Sequence, residues 1–211
     1  MEQAMSNVGD AAGQALNPEL AQYQRQFERI KQEVRELTKG LAESQFQWRQ
    51  EPARWSMSEH LMHLNMSAEV WRKPLETAIE EARRSGPFSQ GPFHYGFLGS
   101  LAIRNMEPPP KRKFRAGSKF APVNGNPITA LLPTFLHYQE ELILRLGQAN
   151  GLDLARIKLV LPGHRFLRLS LGQCFGFLAA HERRHLWHMR EVRNHPQFPP
   201  EGEHRGRPNK D

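Results

Sequence analysis

Residues 171–192 read LGQCFGFLAAHERRHLWHMREV, and the spacing within this stretch predicts a long α-helix. Leu171, Cys174, Leu178, His181, His185, His188 and Val192 follow one another in steps of 3, 4, 3, 4, 3 and 4 residues. That spacing keeps every member on one helix face. Histidines occupy three positions where a core-facing stripe normally carries aliphatic side chains. His181 and His185 stand one turn apart, about 6 Å along the axis, so both imidazoles can reach one shared point. A neutral imidazole buried without a partner is costly, whereas a metal ion satisfies several ring nitrogens at once. The stripe therefore predicts a metal site in the core of a helical protein.

Three more long helices are predicted to complete that core. The first opens at Asn17-Pro18, a capping residue followed by proline at the first helical position. Its apolar stripe is Leu20, Tyr23, Phe27, Ile30, Val34, Leu37 and Leu41, with Gly40 marking the end. The second opens after Trp55 with the capping box Ser56-x-x-Glu59 and runs at least to Trp71. Pro74 is expected to kink it, or to begin a new segment reaching about Arg84. The third opens at Asn126-Pro127 and carries Leu131, Leu132, Phe135, Leu142, Ile143 and Leu146. The helix bearing the histidines opens with a further capping box, Ser170-x-x-Gln173, and stops before Pro196.

Between the second and third helices, residues 86–125 form a glycine- and proline-rich connection. It holds a short helix around Phe97–Asn105 and a basic run at 111–115. Strand signals are weak; Ile157–Leu161 is short and falls in a connection. The expected fold is all-α: a four-helix bundle with one long crossover connection. The bundle spans 17–196, flanked by disordered segments at 1–16 and 197–211.

Composition narrows the function. A chain of 211 residues can build one domain with a real core. Its first residues lack a secretory leader's basic and apolar regions, and no apolar run approaches the ~18 residues of a membrane span. The lone Cys174 excludes an intrachain disulfide framework and points to a reducing, cytoplasmic setting. A net charge of +7 would permit nucleic-acid binding. The charge is spread over helix faces and tails, however, and no nucleic-acid-binding motif accompanies it, so a solvated surface is the better reading.

Two histidines at i, i+4 need a third ligand from another helix. On the second helix Ser58, Asn65, Glu69 and Arg72 share one face; His63 lies roughly opposite and His60 about 60° from it, an alternate. Three neutral imidazoles leave a coordination position open, the pattern of a catalytic site. Other residues read more plainly. Cys174 packs in the core, Glu59 serves its capping box, Glu182 and Arg183 lie at the surface or support the site, and Met57, Met62 and Met66 pack.

The stretch Trp55-Ser-Met-Ser-Glu59-His-Leu-Met-His63-Leu64 resembles the first signature of the DinB-like (DinB/YfiT) family of metalloenzymes. Leu169-Ser-Leu-Gly, followed by His181-Glu-Arg-Arg-His185-Leu, resembles the second. The resemblance covers about 17–196. It implies a four-helix bundle with a divalent metal on His63, His181 and His185. Zinc or nickel suits imidazole best, with iron and manganese as other candidates. His188 departs from the family pattern, which often has glutamine there; of a fourth ligand, a hydrogen-bonding group behind the ligands and a proton carrier, the second is expected, because two turns from His181 is about 10 Å further along the axis. The family also implies transferase chemistry with a low-molecular-weight thiol and a small electrophile. Hydroxide in the open position would instead give a hydrolase. A non-catalytic metal-binding protein is the further alternative, and a homodimer is compatible with all of these.

Overall fold

The computed structural model describes residues 15–110, 121–160, 162 and 168–200. Four long helices build the core: α1 (Pro18–Thr38), α3 (Met57–Ser85), α5 (Ile128–Gln148) and α6 (Leu171–Arg193). They contact one another in a ring, α1 against α5, α5 against α3, α3 against α6 and α6 against α1. Shorter helices α2 (Glu43–Phe46) and α4 (Phe97–Met106) lie in the connections, and α4 packs on α6. Among the described residues, no helix is long and apolar enough to cross a membrane.

The helix starts follow their capping chemistry. Asn17 Oδ1 accepts from Leu20 N at 2.9 Å, and Glu59 Oε2 accepts from Ser56 N at 2.9 Å. At the start of α6, Gln173 Oε1 accepts from Ser170 N at 3.2 Å. The start of α5 departs from expectation. Pro127 is its N-cap and Asn126 does not cap; the amide of Asn126 instead donates to Val123 O. The orphan Ile128 N–H donates to the Glu43 carboxylate at 3.0 Å, so the cap comes from α2, 85 residues away.

Pro74 does not split the second helix, since α3 is assigned as one element from Met57 to Ser85. Proline removes the N–H that would bond Val70 O, but Val70 and Pro74 are both exposed, where water can serve that carbonyl. Leu159 and Leu169 oppose each other in a small antiparallel pair, β1 (Lys158–Val160) with β2 (Arg168–Ser170), both leucines buried. Three residues carry too little periodicity to show as a strand, and the pairing depends on a partner ten residues on.

Two end segments also differ from the expected disorder where they are described. Leu16 packs against the core, and Phe198 meets Trp48 edge-on at 5.6 Å. Gln45 Nε2 donates to Pro199 O at 2.8 Å, so 197–200 lie on the bundle. Residues 1–14, 201–211 and the basic run at 111–115 fall outside the described residues.

α6 is the central element. Besides the histidine stripe it buries Phe175, Ala179, Leu186 and Met189 on an adjoining face. The close approach of its first turn depends on Gly172: a Cβ there would stand 2.1 Å from Tyr95 Oη.

Candidate metal centre

α3 and α6 together bring His63, His181 and His185 to one point. His63 Nε2 lies 3.3 Å from His181 Nε2, and His185 Nε2 lies 3.1 Å from the same atom. Donor atoms from all three residues fall within 4.8 Å of one another, the single such group of metal-ligating side chains among the described residues. Nitrogens bound to a tetrahedral ion at ~2.0–2.1 Å sit about 3.3–3.4 Å apart, so the cluster is close to the required spacing.

The electrostatics fit a cation that brings its own charge. Burial holds the His181 imidazolium down, to a pKa of about 3, reinforced by His63 and Arg184. His185 is likewise lowered well below the ordinary histidine value, by burial first and then by its histidine neighbours. Both rings therefore keep free lone pairs at neutral pH, as a ligand must. No carboxylate belongs to the group.

His60 stands behind the cluster rather than in it. Its Nδ1 is 2.9 Å from His185 Nδ1, across the ring from the nitrogen that faces the cluster. A proton on His185 Nδ1 donated to His60 leaves His185 Nε2 unprotonated and aimed at the centre. His60 is itself held neutral by burial. His188 stacks on it at 5.3 Å with rings 4° from parallel, and burial lowers His188 to a pKa of about 4. His188 lies outside the converging group. Trp55 packs on His60, His63 and His185 with centroid distances of 5.3, 5.2 and 6.0 Å, and Phe177 stacks on His181 at 6.2 Å. These rings restrict how the imidazoles can turn.

Other candidates resolve plainly. Glu59 spends its carboxylate on Ser56 N and on Arg49, whose Nε and Nη2 donate at 2.8 and 2.7 Å. Cys174 is fully buried, and burial pushes its thiol up to about 12, so it is no ready thiolate. Arg183 pairs with Glu107 and donates to Gln26 at 2.5 Å. His94 is exposed, His137 lies 3.8 Å from Glu141, and His195 packs on Trp48.

Glu182 is no surface residue. It is 5% exposed, takes a 2.9 Å bond from Gln139 Nε2, and burial raises its carboxyl to a pKa of about 8. With His181 it lines a cavity between α3, α5 and α6. A sequence signal for its burial exists: Phe175, Ala179, Glu182, Leu186 and Met189 make a second stripe in steps of 4, 3, 4 and 3.

The bundle and its three-histidine cluster define a helical protein with a site suited to a divalent metal. The chain belongs to the DinB superfamily, whose model matches residues 26–189. Comparisons with curated proteins and with solved structures find no match.

Proposed function

We propose that this protein is a metal-dependent transferase that joins a low-molecular-weight thiol to a small electrophile. The observation that carries the metal is the convergence of ring nitrogens from His63, His181 and His185 on one point. Zinc or nickel is the preferred ion. When bound, it would supply positive charge that lowers the pKa of a coordinated thiol towards neutrality.

The chain's own groups would hold and orient that chemistry. His60 steadies His185 through Nδ1, while Trp55 and Phe177 fix the rings of the cluster. Three protein ligands leave an approach for a nucleophile, and the cavity beside His181 offers space for a substrate.

Cobalt substitution tests the reading, because the ion's visible spectrum reports its ligands. Binding of a thiol is expected to add a sulfur-to-cobalt charge-transfer band, and loaded protein is expected to conjugate that thiol to an electrophile. A spectrum unmoved by every thiol tested would overturn the transferase assignment. Turnover of esters or amides without thiol would then favour hydrolysis.

A further inference from the structure

The outer side of α4 presents apolar side chains to solvent. Gly99 is the residue that α4 turns towards α6, where a Cβ would collide with the Gln173 side chain. At about 100° per residue, Phe97, Leu101 and Arg104 lie roughly opposite Gly99, with Leu98 to one side. Phe97 is 75% and Leu98 69% exposed, Leu101 is half-buried and Arg104 is exposed. α4 also packs on β2, and the β1–β2 pair carries the same mixture. Leu159 is buried, so its neighbours Lys158 and Val160 point away from the core, and Arg168 stands directly opposite Val160. Val160 is 48% exposed, and Lys158 and Arg168 are exposed as well.

The charge on these elements has one sign. Neither 86–106 nor 154–181 contains an aspartate or a glutamate. Asp153 and Glu107, just outside those stretches, are engaged. Asp153 accepts from Ala155 N and Arg156 N at 3.1 Å each, and Glu107 pairs with Arg183. Apolar side chains held in water among cations suit an anionic bilayer, where phenylalanine and leucine enter the acyl boundary and Lys and Arg meet the phosphates. A nucleic acid would use the cations and leave Phe97 and Leu98 in water. A second copy in a two-fold contact would set the same cations against one another.

We propose that α4 and the β1–β2 pair form a docking surface for the anionic face of a lipid bilayer. Phe97, Leu98 and Val160 enter the interface, and Arg104, Lys158 and Arg168 lie on the headgroups. The surface is apart from the histidine cluster: Gln173, against which α4 rests, precedes His181 by about 12 Å along the α6 axis. Docking therefore stands or falls independently of the metal.

Flotation of the full-length protein with vesicles tests the proposal, using phosphatidylcholine alone and phosphatidylcholine mixed with phosphatidylglycerol in equal parts. The protein is expected to float with the mixed vesicles and to bind phosphatidylcholine alone about ten-fold or more weakly. Phe97→Ser with Leu98→Ser, and separately Lys158→Glu with Arg168→Glu, should each weaken binding to the mixed vesicles by about ten-fold or more. All four side chains are exposed, so both variants are expected to keep the parent's circular dichroism and melting temperature. Equal binding to the two kinds of vesicle, binding to neither, or full binding by either folded variant would overturn the proposal. A short DNA duplex supplies the rival outcome. DNA binding lost with the Lys158 and Arg168 pair, kept with the Phe97 and Leu98 pair, in a protein that ignores vesicles would assign the cations to nucleic acid instead.

Discussion

Acidifying the metal-free protein from pH 6.5 to 4.5 should remove most of its stability, by an amount set by the histidine cluster. His60, His181, His185 and His188 are all held below the ordinary histidine value of 6.5 in the folded state, His181 at about 3 and His188 at about 4. In this window the unfolded chain takes up a proton at each, while the folded chain does not. Their stabilising effect is therefore complete above 6.5 and is lost as pH falls. Glu182 acts in the opposite sense. Its folded pKa is raised from 4.5 to about 8, so the folded state holds the extra proton and gains stability as pH falls. Four histidines against one carboxyl leave about three protons of net difference near pH 5.5, a slope of roughly 4 kcal/mol per pH unit. Over the whole window this amounts to about 6 kcal/mol, comparable with the ~5–15 kcal/mol total stability of a domain. Urea melts at pH 7.5, 6.5, 5.5 and 4.5 would measure it. A midpoint that stays level down to pH 5 would refute the reasoning, because it would mean the folded protein admits protons to these rings.

Alanine at His63, His181 or His185 should each remove most bound zinc from a protein that remains helical; elemental analysis and circular dichroism check this, and full zinc in the His181 and His185 variants would sink the ligand assignment. His60→Ala should lower zinc affinity by about 10–100-fold through loss of the bond to His185 Nδ1, measured by chelator competition, whereas His188→Gln should keep the ion. Zinc at ~100 times its dissociation constant should add about 2.7 kcal/mol of stability without changing helix content, since the four apolar stripes already supply a core. Gly172→Ala should destabilise the fold by about 1–3 kcal/mol, because the new methyl would meet Tyr95 Oη, which now donates to Glu19 at 2.5 Å.

The sequence alone determined what depends on short-range order. Helical steps of 3 and 4 residues, together with the side chains of Asn17, Ser56 and Ser170, are legible because a helix's face and its first turn are local properties. The i, i+4 pair His181 and His185 was legible for the same reason. His63 against His60 was not settled by helical phase: both rings turn inward, and only the packing of α3 on α6 sends one into the cluster and sets the other on His185 Nδ1. Tertiary structure alone also capped α5 with Glu43, paired β1 with β2, and buried Glu182 against Gln139 on another helix. Each of these joins groups that are distant along the chain or too few to form a pattern. Their cost or benefit exists only once a neighbouring element has excluded water from them.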